Sequence, residues 1–478
     1  MRISVRDTQK IDKASVRNVR DVYNFGQSHI FRWWNEISQQ EKNNLLKQLS
    51  TIDFQVLNRL FKNRFQKTVK IVAGSMVSPH VIKQPSTDAE KEMELEAKRI
   101  GEAAIESGEI AILTVAGGDG TRLGISCPKG TLPITPISKK SIFQLYAEKI
   151  RAIQQKYRVV LPWYIMTSET NNVATQRFFQ SNQFFGLDHS MVLFFPQKML
   201  PVVDFNGRLM MDSKSRIIMS PNGHGGVISA LNEKGLLADM KRRGVNNIFY
   251  HQIDNVLIKM ADPVFVGYHL REGAEISLKI VKKQSQEEKV GVVVSCNGHL
   301  QVIEYSELSS EDMHAKNEDG TLKFSAGNIA VHMINIDFLG KICQKRNPLP
   351  YHVAIKKMSY LDEKGNVIVP AENNAIKYEC FIFDIFKHVK KWAVMEVLRE
   401  EEFSPVKNVH GDYSQTTAER DMINLFGRWL HKAGIPVPVD SQGNVIGLIE
   451  ISPVFALDQN EFIHKIDKNM QFHGSLYL

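Results

Sequence analysis

The chain has 478 residues, of which 43% are hydrophobic and 23% are charged. Both fractions are typical of globular proteins, so the composition excludes a largely disordered chain, and the length predicts two or three domains. The formal net charge of +8 favours an anionic partner such as a nucleotide, a phosphorylated sugar or a nucleic acid. The sequence has no dense run of lysine and arginine with interleaved aromatic residues, so we expect no nucleic-acid binding.

The four cysteines show neither metal-binding nor disulfide spacing; they are Cys127, Cys296, Cys343 and Cys380. None forms a C-x-x-C pair, so the sequence favours a reducing compartment, and we expect a cytoplasmic protein. The first 21 residues are basic but contain three aspartates and no apolar core, unlike a secretory signal or a transit peptide. No apolar run reaches about 18 residues, so we expect no membrane span.

Apolar residues recur at helical spacing between residues 26 and 64, which predicts a helical N-terminal region. The Trp33–Trp34 pair is most simply interpreted as part of a packed structural face. After a proline-containing linker, Thr87-x-x-Glu90 has the pattern of a capping box, which predicts a helix that ends near Gly101.

The pattern changes at Glu109, where short apolar runs rich in β-branched and aromatic residues begin. These runs predict strands at 110–115, 163–167, 192–195, 247–250 and 276–281. Helical stretches, such as 141–150, lie between several of them. Alternating strands and helices predict an open α/β sheet.

Further along the chain, Lys377–Phe386 is an apolar segment in which Phe381 and Phe383 would alternate onto one strand face, and Trp392–Arg399 has a strand pattern. A polar link near residue 409 precedes a predicted helix at Thr416–Lys432 and a small C-terminal unit. The predicted division is therefore 1–100, 101–408 and 409–478.

A glycine-rich loop directly follows the first predicted strand, with the sequence AGGDGTRLGISCPK over residues 116–129. Glycines let the backbone approach a ligand closely and direct N–H groups at phosphate oxygens. Arg122 and Lys129 add two positive charges, which a triphosphate with about four negative charges requires.

Two other phosphate-binding loops match less well. A Walker A loop needs Gly-Lys-Ser/Thr, but Lys129 lies between a proline and a glycine. A dinucleotide loop needs an acid about 20 residues further on, and the region around 137–140 has none. Nucleotidyl transfer therefore remains the preferred interpretation, with a tight structural turn as its alternative.

The loop GGDGTRLG, followed by PKG, resembles the signature of the eukaryotic-type UDP-sugar pyrophosphorylases. Within that family the similarity is greatest to the UDP-N-acetylhexosamine pyrophosphorylases. It extends over about residues 26–455 through ordered blocks, namely GQSHIFRWWNEI, LPWYIMTSET, FFPQKMLP, HQIDNVLIKMADP, VIEYSEL, GNIAVH, YHVAIKKM, FIFDIF and VLREEEFSPVKN.

The resemblance implies a Rossmann-like, GT-A-like nucleotidyltransferase domain with a mixed, mostly parallel sheet, a helical N-terminal region and a small C-terminal α+β domain. The implied reaction transfers the uridylyl group of UTP to a sugar 1-phosphate, with Mg²⁺ as cofactor. The expected sugar phosphate is N-acetylglucosamine 1-phosphate. The sugar phosphate attacks the α-phosphorus in line, so the protein mainly positions groups and neutralises charge.

The resemblance also implies roles for individual residues. Arg122 and Lys129 would hold the triphosphate and stabilise the leaving pyrophosphate, and Lys407 would reach the reacting phosphates from the far side. Asp254 would help to hold Mg²⁺, although a single aspartate after a strand is more often a cap or turn residue. The implied substrate-binding positions, beginning with the nucleotide and ending with the sugar, are Gly117, Gly118, Gln197, Gly223, Gly291, Glu304, Tyr305, Asn328, Phe381 and Phe383.

Two positions depart from the N-acetylhexosamine pattern. Asp119 replaces a usual glutamine and places a carboxylate near the triphosphate. His224 replaces an asparagine within NGHGG, and a GHG triplet is more typical of UDP-glucose and broad UDP-sugar enzymes; this histidine could donate to the nucleotide or to a sugar hydroxyl. UDP-glucose or UDP-galactose synthesis is thus the alternative, and a UDP-sugar-binding regulator without catalysis is the alternative of another class.

Overall fold

The computed structural model describes residues 13–64, 76–118, 120, 123–124, 127–305, 307–345 and 349–478. Their contacts define two compact units, each assembled from separate parts of the chain. Unit 1 takes its residues from Met1–Ile71, Lys198–Gly226 and Leu349–Ile382. Unit 2 takes its residues from Val72–Gln197, Val227–Pro348 and Phe383–Leu478. The predicted boundaries after residues 100 and 408 stay predictions.

In chain order, the α-helices of the described residues are α1 (Lys13–Asn24), α2 (Gln39–Ser50), α3 (Phe54–Lys62), α4 (Asp88–Glu106), α5 (Ile142–Tyr157), α6 (Asn172–Ser181), α7 (Gly226–Glu233), α8 (Leu236–Arg242), α9 (Pro263–Arg271), α10 (Ser310–His314), α11 (Ile336–Cys343), α12 (Arg399–Glu402), α13 (Gln415–Lys432) and α14 (Gln459–Lys465). No helix in these ranges combines the length and the apolar character that a membrane span requires.

The strands, again in chain order, are β1 (Met76–Val77), β2 (Ile110–Val115), β3 (Trp163–Thr167), β4 (Val192–Pro196), β5 (Met199–Pro201), β6 (Met211–Ser213), β7 (Arg216–Ile217), β8 (Met219–Pro221), β9 (Asn247–Gln252), β10 (Ile276–Lys282), β11 (Val292–Cys296), β12 (His299–Ile303), β13 (Ala326–Asn335), β14 (His352–Lys356), β15 (Tyr360–Leu361), β16 (Val367–Ile368), β17 (Ala375–Glu379), β18 (Trp392–Glu396), β19 (Leu448–Glu450) and β20 (Ser475–Tyr477).

Unit 2 is built on a mixed sheet with the path β1-β11-β13-β9-β2-β3-β4. Strands β9, β2, β3 and β4 are parallel neighbours, whereas β13 is antiparallel to β9 and to β10. The predicted mixed α/β sheet is confirmed. Its parallel character holds for the β9-β2-β3-β4 half and for the β10–β18 pair, and the remaining pairings described within this sheet are antiparallel.

The parallel half of the sheet is buried because its strands are apolar on both faces. Ile110, Ile112 and Leu113 of β2 are at most 1% exposed, and helix α5 buries Phe143 and Ile150 completely. Helices α4 and α9 touch at their backbones, because a Cβ atom at position 101 or 267 would collide with the carbonyl groups of the facing helix.

Unit 1 combines α1–α3 with four two-stranded ladders, β5–β8, β6–β7, β14–β17 and β15–β16. Trp33 and Trp34 are each 7% exposed and belong to its apolar core together with Leu45, Leu49 and Val203. The structural interpretation of the tryptophan pair is therefore confirmed. Helix α2 begins with a reciprocal capping box between its N-cap serine and a glutamate three residues later.

Helix α4 also begins with the predicted capping box, at Thr87 and Glu90, and it continues past Gly101 to Glu106.

Two strand predictions need correction. The strand predicted at Trp392–Arg399 ends at Glu396, and α12 begins at Arg399 with three glutamates in its first turn, where acidic side chains favour a helix N-terminus.

The segment Lys377–Phe386 is likewise not one strand. Strand β17 ends at Glu379, and a 3-10 helix runs from Ile382 to His388. Phe381 and Phe383 therefore do not alternate on a common strand face. The physical reason is that the Cys380 backbone bonds to a turn of the same unit, donating to Asn222 O and accepting from Gly225 N, so it does not continue the β14–β17 ladder.

A buried ion cluster joins three elements of unit 2. The ammonium of Lys279 on β10 has no exposed side-chain surface and contacts the carboxylates of Asp262, at 2.7 Å, and Glu402. Charges removed from water in this way are stable only when they are paired and hydrogen-bonded. The cluster fixes the end of α12 against the sheet.

Candidate active site

One edge of the central sheet collects most of the sequence-predicted site residues of unit 2. Gly117 follows β2, Gln197 follows β4, and Asp254 follows β9, all at the carboxyl ends of parallel strands. Asn328 lies near the start of β13, which is antiparallel to β9 and so begins at the same edge. The carboxyl edge of parallel strands is where open α/β sheets bind ligands.

The start of the glycine loop lies against Gln197. A Cβ atom on Gly117 would collide with the Gln197 side-chain amide, so only glycine permits this approach, whereas Gly118 faces open space. The backbone N–H of Gln197 donates to Thr167 O at 2.8 Å, which fixes the residue after β4. Its side-chain Oε1 is buried and accepts no hydrogen bond from any described residue.

Asn171 holds the loop from the other side, and the sequence analysis did not identify it. This buried asparagine donates to Ala116 O at 3.1 Å and to Gly118 O at 3.4 Å, while its Oδ1 accepts from Ser168 N at 2.9 Å. Its signal in the sequence is weak, because asparagine is common at the start of any helix that follows a strand.

Two lysines meet at the Asp254 carboxylate. Lys129 Nζ lies 3.9 Å and Lys407 Nζ lies 4.0 Å from Asp254 Oδ2, and the aspartate is 9% exposed. Burial raises the pKa of the Asp254 carboxyl, whereas the positive charges of Lys129 and Lys407 lower it. The charges outweigh the burial, so the pKa lies below the ordinary value. Asp254 is therefore ionised at neutral pH, and the cluster carries a net positive charge.

Helix α5 supports the turn that carries Asp254. Tyr146 Oη donates to Asn255 O at 2.7 Å, and one turn later Lys149 Nζ donates to Val256 O at 2.9 Å and Ile258 O at 2.8 Å. Burial lowers the pKa of Lys149 to about 7, and the more distant carboxylate of Glu402 offsets only part of this effect. A lysine thus serves here as a donor to backbone carbonyls.

His251, on β9 just before the turn, is a core histidine with a contact at each ring nitrogen. Its Nε2 lies 2.8 Å from Thr114 Oγ1, which also accepts from Trp163 Nε1, and its Nδ1 lies 3.2 Å from Gln252 O. Burial lowers the pKa of His251 to about 3, so it stays neutral. We assign it no proton-transfer role.

A second group of predicted residues meets where β11, β12 and β13 begin or end. Gly291 O accepts from Asn328 N at 2.8 Å, and the Gly291 Cα is close to the Glu304 carboxylate. Asn328 Oδ1 accepts from Ala330 N at 3.0 Å and holds that residue at a φ of 57° within a bulge against β10. Tyr305 follows Glu304 and is 38% exposed.

Three more predicted residues, Gly223, His224 and Phe381, belong to unit 1. Gly223 has a φ of 84° and lies so close to the Cys380 backbone that a Cβ would collide with it. His224 Nδ1 accepts from Ile382 N at 3.2 Å, and the His224 ring stacks on Phe381 with 5.3 Å between centroids. Phe381 also stacks with His352, at 4.4 Å.

Three predicted residues cannot be placed in these groups. Phe383 lies in the 3-10 helix of unit 2 and is 8% exposed, so it is mainly a core residue. Arg122 and Asp119 lie outside the described residues, and their roles stay predictions.

The residues present suit a magnesium ion that is shared with a substrate. Among the described residues, no three His, Cys, Asp or Glu side chains group together as a metal cage would require. Mg²⁺ is commonly held by one or two carboxylates together with substrate phosphates, and Asp254 supplies one ionised carboxylate at the sheet edge.

The chain is similar to known proteins over most of its length. A family model described as UTP--glucose-1-phosphate uridylyltransferase matches residues 58–424. The UDP-N-acetylglucosamine pyrophosphorylase of Saccharomyces cerevisiae is 38% identical over 431 residues, covering 86% of this chain and 90% of that protein. UDP-N-acetylhexosamine pyrophosphorylase-like protein 1 of Xenopus tropicalis is 37% identical over 458 residues, covering 90% and 89%.

Among solved structures, the uridine diphosphate N-acetylglucosamine pyrophosphorylase from Trypanosoma brucei matches with a TM-score of 0.82 and 27% identity, covering 98% of each chain. The fold, the loop and the sequence similarity agree over most of the chain: it belongs to the UTP–glucose-1-phosphate uridylyltransferase family.

Proposed function

We propose that this chain transfers the uridylyl group of UTP to N-acetylglucosamine 1-phosphate, giving UDP-N-acetylglucosamine and pyrophosphate. The observation that carries the proposal is the convergence of Lys129 and Lys407 on Asp254, at the sheet edge where the glycine loop starts. Relatives that bear the name of this activity share 33–38% identity with the chain.

In the reaction, an oxygen of the sugar phosphate forms a bond to the α-phosphorus of UTP. The bond from that phosphorus to the bridging oxygen breaks, and pyrophosphate leaves with the electron pair. The attacking phosphate is already ionised, so no protein base is needed. Lys129 and Lys407 would neutralise the charge on the reacting and departing phosphates, with Arg122 as a further predicted cation.

The nucleotide would be recognised by groups that lack internal partners. The buried Gln197 Oε1 is an acceptor without a described donor, and the N3–H of uracil is a donor of matching chemistry. Gly117 keeps the backbone beside that amide free of a side chain, so the base could lie against the loop. Gly223, in unit 1, stays a predicted nucleotide-binding position.

Asp254 would hold Mg²⁺, which when bound to phosphate oxygens would withdraw negative charge from them. The protein's own contribution is to keep this carboxylate ionised and fixed. Its backbone and side chain are held by β9, by the neighbouring lysines and by the α5 donors to the following residues.

The sugar would lie beside Gly291, Glu304, Tyr305 and Asn328. One feature favours the second candidate, synthesis of UDP-glucose or UDP-galactose: His224 stands where N-acetylhexosamine enzymes typically carry asparagine. Its ring stacks on Phe381 in unit 1, with 5.3 Å between the ring centroids.

A panel of sugar 1-phosphates tests the choice. Purified protein with UTP and Mg²⁺ should release pyrophosphate fastest with N-acetylglucosamine 1-phosphate. Faster release with glucose 1-phosphate would establish the second candidate. Binding of UDP-sugar without pyrophosphate release from any sugar phosphate would identify a non-catalytic regulator.

Two properties extend the proposal beyond the chemistry. None of the described cysteines forms a disulfide, which suits a reducing compartment such as the cytoplasm. The +8 charge is accounted for by phosphorylated substrates, and we propose no nucleic-acid partner. Binding to DNA or RNA with a steep salt dependence would contradict the second point.

A further inference from the structure

The segment that leads to Lys407 has little secondary structure of its own. Helix α12 ends at Glu402, and residues 403–407 lie outside every helix and named strand. Lys407 itself has 44% of its side chain exposed, so its ammonium is not fixed by packing. Its position near Asp254 is therefore set by the backbone on either side of it, namely the preceding segment and the Lys407 N–H, which donates to Tyr413 O at 2.6 Å.

The main-chain donors of that segment bind Asp254 and Asn255, while the Ser404 hydroxyl donates to Asp421 Oδ2 at 2.7 Å. Between 404 and 406 only two N–H groups exist, because Pro405 has none. Ser404 N donates to Asn255 Oδ1 at 3.0 Å, and Val406 N donates to Asp254 O at 2.9 Å. Both main-chain donors of the segment are thus bound by the turn that also carries the site carboxylate.

Asn255 also binds the end of the helix before the segment. Its Nδ2 donates to Glu402 O at 2.7 Å, while its own backbone carbonyl accepts from Tyr146 Oη at 2.7 Å. The side chain is buried, with the residue 3% exposed, and both ends of its amide are used. Glu402 is in turn held by Lys279, so the anchor extends into the ion cluster.

We propose that Asn255 is a positioning residue that sets the distance between Lys407 and Asp254, an inference that rests on the proposed function. An amide is needed because one donor and one acceptor must be presented by the same short side chain. Aspartate keeps the acceptor for Ser404 N but loses the donor to Glu402 O, and alanine loses both.

A purely structural role for Asn255 would lower stability without acting through Lys407. A positioning role makes a different prediction, because Asn255 then influences the chemistry only by way of that lysine. Residues that act as one unit give strongly non-additive effects when they are changed together.

The test compares Asn255→Ala, Lys407→Ala and the double variant, using UTP and N-acetylglucosamine 1-phosphate. We expect Asn255→Ala to lower kcat by a factor on the order of 100, because a misplacement of about 1 Å can cost that much. KM and calorimetric binding of UDP-N-acetylglucosamine should change by less than about tenfold. The double variant should be no slower than Lys407→Ala alone.

Asn247→Ala is the matched control, because Asn247 is also buried, at 2% exposed. It lies at the start of β9, and Asn255 follows the other end of that strand. Asn247 Oδ1 lies 3.0 Å from His269 Nε2, away from the segment of Lys407. This variant should lower the melting temperature but keep kcat within about twofold. Asn255→Asp is the second variant if Asn255→Ala fails to fold, and it should also lower kcat.

A folded Asn255→Ala protein with wild-type kcat would overturn the inference, as would a double variant whose loss is the product of the two single losses. An active wild type together with an active Lys407→Ala would also overturn it, and uridylyl transfer would then stand. A wild-type protein that releases no pyrophosphate would instead contradict the proposed function.

Discussion

The two units carry their predicted site residues by different physical means. In unit 2, Lys129, Asp254 and Lys407 are charges at the edge of a buried sheet, and backbone hydrogen bonds fix the segments that bear them. In unit 1, Gly223 and His224 lie in a turn that packs against Cys380 and Phe381 and is shaped by a missing Cβ and by stacked rings.

This difference separates two tasks. Charges held at a preorganised sheet edge act on phosphate charge as it redistributes, so they should govern rate. Glycines and rings act through shape and weak contacts, so they should govern which ligand is accepted. Variants in the two units should therefore change different kinetic constants.

The largest effect is expected from Lys129→Met in unit 2. Loss of this cation should lower kcat about 100-fold to 1000-fold, because it removes charge stabilisation from the departing pyrophosphate. Steady-state pyrophosphate release measures the change. Lys139→Met is the control, since Lys139 pairs with Glu419 at 3.4 Å on the surface. Equal rates in the two variants would remove Lys129 from the site.

The next largest effect is expected from Gln197, which is an uncharged site residue of unit 2 and so separates the effect of charge from that of the unit. Gln197→Met should raise KM for UTP about 10-fold to 100-fold with a smaller change in kcat, since it deletes a buried acceptor for the base. Competition between UTP and CTP should also become less discriminating. A fall in kcat without any change in KM or in discrimination would contradict the role.

A smaller effect is expected in unit 1. His224→Ala should change the ratio of activities on N-acetylglucosamine 1-phosphate and glucose 1-phosphate by about twofold to tenfold, in keeping with the worth of one ring stack. His224→Phe keeps a stack on Phe381 and serves as the matched variant. A loss of kcat as large as that of Lys129→Met would break the comparison between the units.

The smallest effect concerns pH and the support beneath the charged edge. Lys149 has a pKa of about 7 when folded and about 10 when unfolded, so between these values the unfolded chain holds the extra proton. The stability of the wild type relative to Lys149→Met should therefore rise with pH across that window, by at most about 1.4 kcal/mol per pH unit.

Thermal melts of both proteins at about pH 6.5, 7.5, 8.5 and 9.5 measure this difference in stability. Lys156→Met is the control on the same helix, because that ammonium lies 3.8 Å from the carboxylates of both Asp458 and Glu461. A stability difference that falls with pH, or none at all, would show that Lys149 keeps an ordinary pKa.

The sequence predicts the sheet well where burial alone decides the structure. The runs at 110–115, 163–167 and 247–250 are strands because both of their faces are covered, and no polar partner competes for their backbones. The prediction fails at Lys377–Phe386, because Cys380 bonds to a turn more than 150 residues away in the sequence.

Site residues divide in the same way. Gly117, Lys129 and Asp254 belong to motifs that are contiguous in the sequence, and the structure brings them to one edge. Asn171 and Asn255 were missed because their partners, Ala116 and Glu402 among them, lie far away along the chain. Their function is defined by tertiary hydrogen bonds, for which an asparagine alone gives no signal.

The triad of Lys279, Asp262 and Glu402 restricts how this protein can diverge. Replacing any one of the three residues leaves a buried charge without its partner, which costs several kcal/mol of stability. A protein with only one of the three exchanged is therefore unstable. We expect lineages to inherit these three positions together or to exchange all three for apolar residues. Substitutions at these three positions are therefore expected to occur together rather than one at a time.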